Sequence, residues 1–255
     1  MIGLSEEFAG GGTLLHRMDP RVKVVVAAFF SITVAVSVER FPLFLALGFA
    51  FALAVIARLN FFQVLRRLVP ANAFVLVLWL TLPATVVGEP AAWIGPIVLS
   101  REGIRLAFLV TLKANAIVIS IIALLNTSRL LDIAHAARHL RVPDKLVMIF
   151  YFCIRYFHLI GSEYLRLREA MKVRSFRPRT NMRTYKSYAN LLGMLLVRSH
   201  DRAERVYAAM LCRGFNGRIN ILSHFRLRPI DYVSGIGMMI FVVILVYFQW
   251  HPAGF

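Results

Sequence analysis

Apolar residues run along this chain in long blocks rather than alternating with polar ones. A helix needs about 20 mostly apolar residues to cross a bilayer, because every backbone amide must find its partner inside the segment. Five blocks meet that demand, at roughly 22–39, 41–57, 69–88, 105–126 and 230–249. Pro42 sits in the very short link between the first two, which predicts a tight hairpin. The link at 89–104 contains Pro and Gly and carries Trp93, a residue suited to a membrane interface.

Between the fourth and fifth blocks the pattern changes. Val142-Pro143-Asp144 reads as a helix start, with Pro preset for the first turn and an acid near the positive end. From there to about Val173 only Gly161 interrupts a helical pattern. Its first half is apolar ("KLVMIFYFCI"), and its second half mixes charge with Leu ("EYLRLREAMKV") until Pro178 ends it. A second helix is predicted from about Tyr185 to Leu211, with Gly214 and Gly217 suited to a carboxyl-terminal cap. The apolar run at 144–160 is long enough for a short sixth span, but Arg155 and His158 favour a buried or interfacial helix.

Composition agrees with this reading. The chain is 59% hydrophobic, against about 45–50% in a soluble domain, and its mean hydropathy is +0.68. The expected fold is an all-α integral membrane protein with about five transmembrane helices and a cytoplasmic helical region before the last span. The expected divisions are 1–126, 127–228 and 229–255. Residues 1–21 hold no continuous apolar segment, so no cleaved signal peptide is expected. Cys153 and Cys212 give no disulfide framework.

A net charge of +17 would point a soluble protein toward nucleic acid. Here its placement matters more. Residues 127–228 hold 20 of the 30 Lys and Arg against six of the 13 acids, an excess that makes up most of the net charge. Arg17, Arg21 and Lys23 flank the first block, and Arg58, Arg66 and Arg67 fill the second link. The first link has only Arg40, the third only Arg101, and the tail "HPAGF" has no Lys or Arg. Positive residues mark the cytoplasmic side. The expectation is a multi-pass protein of the cell inner membrane, with a cytoplasmic amino terminus, an extracytoplasmic carboxyl terminus and no nucleic-acid partner.

One short element occurs twice. "EAMKVRSF" at 169–176 aligns with "AAMLCRGF" at 208–215, at an offset of 39. Ala170 matches Ala209, Met171 matches Met210, Arg174 matches Arg213 and Phe176 matches Phe215. Upstream, Arg166 matches Arg205, and Gly214 of the second copy is Ser175 in the first. Positions four apart share a helix face, so Arg166, Ala170 and Arg174 form a stripe that Arg205, Ala209 and Arg213 repeat. Ala admits a close approach, Met adapts to varied apolar surfaces, and Arg presents a planar fork to carboxylates. That chemistry suits docking into an acidic-rimmed groove. The competing reading is a basic face attracted to anionic lipid, and the matched second copy favours docking. Arg179, just past the first copy, reads as a bystander.

"HRMDPRVK" (16–23) and "RSHDRAERVYAAMLCRGFNG" (198–217) resemble the transmembrane subunit of energy-coupling factor transporters, the EcfT/CbiQ family, and most closely its CbiQ branch for cobalt uptake. The resemblance covers nearly the whole chain. It implies that the two repeated elements end coupling helices that cross in an X, each inserting into one of two ATP-binding-cassette subunits. Ala170, Arg174, Ala209 and Arg213 would then be the coupling residues, supported by Arg166, Met171, Phe176, Arg205, Met210, Gly214 and Phe215. The implied partners are two CbiO-like ATPases, a CbiM-like substrate-binding membrane subunit, a small CbiN-like accessory subunit and the lipid membrane. ATP and Mg would bind the ATPases, and no cofactor or metal would bind this chain.

The remaining chemistry is sparse. There is no G-x-x-x-x-G-K-[ST], so ATP does not bind here by the P-loop route. Asp132, His135 and His139 have a spacing that can hold a metal on one helix face, but a polar connecting helix explains them without one. Lys113 lies well inside the fourth block, and an intramembrane cation is a functional candidate by default. Alternatives are the same role for nickel or a vitamin, a self-contained secondary transporter, or a membrane-embedded enzyme. The last two would need paired carboxylates, relay acids deep in the spans or Ser-His or Cys-His pairs, and the apolar blocks show none of these.

Overall fold

The computed structural model describes residues 13–94, 97–128, 130–139, 142–217 and 229–250. The elements are α1 (Leu14–Arg17), α2 (Pro20–Val36), α3 (Arg40–Ile56), α4 (Phe61–Thr85), β1 (Pro90–Ile94), β2 (Ile97–Ser100), α5 (Arg101–Leu124), α6 (Leu130–His139), α7 (Asp144–Val173), α8 (Met182–Cys212) and α9 (Pro229–Trp250). The protein is an all-α membrane protein, with one short antiparallel hairpin among the described residues, in the link between α4 and α5.

The blocks read from sequence each form a helix, with shifted ends. The third block was expected from 69, but α4 starts at Phe61 and takes in Arg66 and Arg67. Charge ends an apolar run without ending a helix, and here nothing breaks the backbone until Asn60. The first block ends at Val36 rather than 39, where Ser37 turns out of the helix. Asp19 starts α2, its carboxylate accepting from the Arg21 amide at 2.9 Å, with Pro20 in the first turn.

By length and apolar composition α4, α5, α7 and α9 are each able to cross a membrane, and α3 is a shorter apolar helix. The run at 144–160 therefore belongs to a helix that meets the length and composition of a span.

The chain forms two compact units. Among the described residues, one holds α1 to α5, the hairpin, α6 as far as Ala136, and α9; the other holds α7 and α8. In the first, α5 packs against α2, α3 and α4. Phe30, Val34, Leu43, Ala46, Leu112 and Leu245 form one core cluster, and Val26, Leu53, Ala123 and Leu124 belong to a second. Phe49 stacks on Phe241 with ring centroids 4.0 Å apart. Polar contacts tie α4 to α5: Asn72 and Asn115 exchange amide hydrogen bonds at 3.1 Å, and the Trp79 indole donates to Thr111 at 2.9 Å. Within lipid such interhelical bonds replace the missing hydrophobic drive. Gly103 lets the helices close, since a Cβ there would meet the Leu82 carbonyl oxygen at 2.5 Å.

The second unit is built on α7 and α8. Arg198 of α8 donates to the carboxylate of Glu163 on α7, which also lies 3.8 Å from Arg166.

Candidate docking site: two helix ends

The repeated element has a local physical cause. In each copy the Arg is the helix C-cap, Arg174 closing α7 and Arg213 closing α8. The next residue takes the left-handed conformation, Ser175 at φ 60° and Gly214 at φ 78°. Its amide donates to the carbonyl three back, Ser175 to Lys172 at 2.9 Å and Gly214 to Leu211 at 3.0 Å. The Phe amide then reaches the Met carbonyl, Phe176 to Met171 at 3.1 Å and Phe215 to Met210 at 3.0 Å. Both ends are Schellman caps, which satisfy carbonyls that a helix end would leave unpaired.

The caps sort the side chains identically. Met171 and Met210 are half-buried, as are Phe176 and Phe215. Arg166, Ala170 and Arg174 are exposed, and so are Arg205, Ala209 and Arg213. Each tip thus presents a cation at the negative end of a helix dipole beside a small residue, over an apolar footing.

The surroundings of the tips differ. The first opens on a cavity of about 820 Å³ whose lining includes Arg174, Arg177, Arg179, Arg183 and Met171. Arg179 therefore faces the same space as Arg174, and the bystander reading does not hold for it. The link behind this tip is tied down. Asn181 Oδ1 accepts from the Thr184 amide at 2.9 Å, and Thr184 Oγ1 accepts from the Arg179 amide at 3.1 Å. Met210, in the second tip, lines an apolar groove of about 290 Å³ with Phe152, Tyr156, Ile160, Val206 and Tyr207.

The tips are also far apart. The Phe176 ring packs edge-on against Tyr188, with centroids 5.8 Å apart, which fixes the first tip beside the early turns of α8. Arg213 closes the same helix 25 residues beyond Tyr188, a run of about 37 Å. No single small groove can receive both.

Lys113 Nζ donates to the carbonyl of Ala35 at 2.8 Å, in the last turn of α2. An ammonium there meets the negative end of that helix, so the cation is answered by backbone rather than by an acid. His135 and His139 lie in α6 as expected from a polar connecting helix, but their side chains fall outside the described residues.

Sequence reading missed Lys23. Counted there as a flanking charge, it is fully buried, its Nζ donating to Ser128 at 2.8 Å and Thr127 at 3.2 Å. The signal that pointed to it was the motif "HRMDPRVK", in which Lys23 falls inside the first apolar block.

A family model described as cobalt transport protein, CbiQ, matches residues 11–223. The energy-coupling factor transporter transmembrane protein EcfT of Brevibacillus brevis is 21% identical over 261 residues, covering 96% of each chain. The nickel permease LarQ of Lactiplantibacillus plantarum is 32% identical over 120 residues, 47% of this chain and 43% of that one. A putative ABC transporter ATP-binding protein of Bifidobacterium longum is 36% identical over 113 residues, 42% of this chain but only 14% of its own length. Matches to two further relatives span 55% and 86% of those proteins.

Proposed function

The chain belongs to the CbiQ family of cobalt transport proteins, and on that premise we propose that it is the non-catalytic membrane subunit that couples two ATPases to metal uptake. The observation that carries this reading is the pair of like-capped tips held about 37 Å apart along one helix. Two equivalent contacts at that spacing fit two equivalent partners. A putative ABC transporter ATP-binding protein that contains a segment similar to this chain supports ATPases as those partners.

The mechanism follows from stiffness. Each ATPase takes one tip, with Ala170 or Ala209 allowing close approach and Arg174 or Arg213 paired to carboxylates in its groove. When the ATPases close on ATP, the two tips are driven relative to one another. Capped helices joined by Glu163 and Arg198 pass that displacement along their axes instead of bending. A CbiM-like subunit carries the substrate-binding chemistry, with a CbiN-like subunit as accessory. The tips and α8 face the cytoplasm, and the tail after α9 faces outward. A reporter fused after Phe255 that works only in the cytoplasm would contradict that orientation.

Cobalt is the substrate the family description favours. Nickel is the second reading, because a relative 32% identical over 120 residues is named a nickel permease. The test is reconstitution in proteoliposomes with the ATPase and substrate-binding subunits. The full complex takes up cobalt(II) on ATP addition and prefers it to nickel(II), and the chain alone neither transports nor hydrolyses ATP. Uptake by the chain alone would sink the coupling role.

A further inference from the structure

Among the described residues, the most deeply placed charge stands apart from the docking tips. Lys23 is 0% exposed in the first turns of α2, and its hydrogen bonds go to Thr127 and Ser128, just past the end of α5. Asp132, Asp231 and Asp19 supply the negative field around it. Asp231 is itself 2% exposed in the first turn of α9, and its Oδ1 accepts from the backbone amide of Asp19 at 3.0 Å. A buried ammonium and buried carboxylates are each expensive to desolvate and persist only where they answer one another.

Their positions along the chain give the cluster its meaning. The chain passes from the membrane unit to the helical unit after Ala136 and returns before Phe225. Thr127, Ser128 and Asp132 lie on the outgoing stretch, and Asp231 lies on the returning one. Lys23 and Asp19 belong to neither; they sit at the start of α2, which packs against α5 and α9. Lys23 and Asp19 therefore fasten the end of α5 and the start of α9 to a single point of the membrane core.

We infer that Lys23 is a positioning residue for transport: bonded to Thr127 and Ser128, beside the Asp231 carboxylate that holds the Asp19 amide, it ties the end of α5 and the start of α9, the two points between which the helical unit is inserted, to the start of α2, so that movement of the docked helices reaches the membrane helices. This rests on the coupling role proposed above. Removing the lock leaves ATPase docking intact and loosens the link between hydrolysis and uptake.

The experiment uses the complete complex in proteoliposomes and reads cobalt(II) taken up per ATP hydrolysed, with ATPase attachment measured separately. Lys23→Met keeps the ATPases attached and hydrolysing but lowers that ratio by about fivefold or more, within the range over which single residues modulate coupling. Lys23→Arg restores part of it, because the cation and its carboxylates are kept. If Lys23→Met fails to assemble, Thr127→Val with Ser128→Ala decides by the same ratio, since it removes the hydroxyl acceptors and leaves every charge in place. An unchanged ratio in an assembled Lys23→Met complex overturns the inference, as does a series in which each variant either fails to assemble or couples as wild type. Neither result touches the docking reading, which stands or falls on attachment of the ATPases to the Arg174 and Arg213 tips.

Discussion

The two units of this protein keep themselves folded by different means. The membrane unit has a core of its own: Phe30, Leu43, Ala46, Ala50, Ala116 and Leu124 are essentially inaccessible. The 30 residues of α7 and the 31 of α8 bury only Val147, Thr184 and Leu191 among the described residues. Yet α7 is far from polar, and Leu146, Ile149, Phe150 and Phe157 all lie exposed on it. A helix pair with so little core cannot offset the entropy of ordering its own chain. Hydrogen bonds within each helix and its caps hold the two helices, and on the reading proposed above lipid and partner proteins cover the faces the pair leaves open. Substitutions in the membrane unit should therefore act on folding, and those in the helical unit on assembly.

The largest expected effect tests the assembly half of that contrast. Arg174→Ala and Arg213→Ala should each impair uptake, and the double change should abolish it and release the ATPases. Truncating one member of a charged pair at an interface costs about 2–5 kcal/mol, because its partner is left buried and unpaired. Lys at either position should rescue in part, keeping charge but losing the planar fork. The membrane unit should still insert, and thermal unfolding of the isolated chain in detergent should hardly move. Lys186→Ala is the control, because Lys186 is exposed on α8. Arg179→Ala is not a neutral control, since Arg179 lines the cavity of the first tip. Arginine variants indistinguishable from Lys186→Ala would return the tips to being solvated basic faces.

A somewhat smaller effect tests the folding half. Phe30→Ala should destabilise the isolated chain by roughly 2–3 kcal/mol, the cavity part of a large-to-small change, since in lipid the transfer part falls away. Phe157→Ala on α7, where the ring is 43% exposed, should change that stability by less than about 0.5 kcal/mol. Chemical or thermal denaturation in detergent compares them. Equal losses would mean that α7 has a core the contrast denies it.

The same contrast explains what the sequence let one read. Apolar blocks, charge bias and the repeated element are all written in consecutive residues, so the helices and the two tips were legible. Helix ends were less so, because Arg66 and Arg67 lower hydropathy without interrupting α4. The hairpin of β1 and β2 was read as a plain link, since its strands of five and four residues lie among Pro and Gly and show little alternation. Lys23 was misread for a deeper reason. Nothing local distinguishes a flanking cation from a buried one, and its partners Thr127 and Ser128 come more than a hundred residues later. Arg179 became a neighbour of Arg174 only when the link folded back through Asn181 and Thr184.

The smallest expected effect sharpens the comparison most, because it lies within the helical unit. The two tips share one cap but fill its left-handed position differently, with Ser175 at φ 60° and Gly214 at φ 78°. A side chain there is strained by roughly 1–2 kcal/mol, against which glycine's extra chain entropy sets about 0.5–1 kcal/mol. Ser175→Gly should therefore tighten the first cap by about 0.5–1 kcal/mol, and Gly214→Ser should loosen the second by a similar amount. Global unfolding is a poor readout, because the tip adds little to a core it does not share. Hydrogen exchange is a better one. The Phe176 amide, which donates to Met171, should exchange more slowly in Ser175→Gly, and the Phe215 amide, which donates to Met210, should exchange faster in Gly214→Ser. If caps rather than a core hold the tips in shape, ATPase attachment should follow them, improving slightly in the first variant and weakening in the second. Slower exchange at Phe176 together with weaker attachment would count against this account. It would show that the Ser175 hydroxyl touches a partner, and that the two tips, alike in backbone, differ in what they grip.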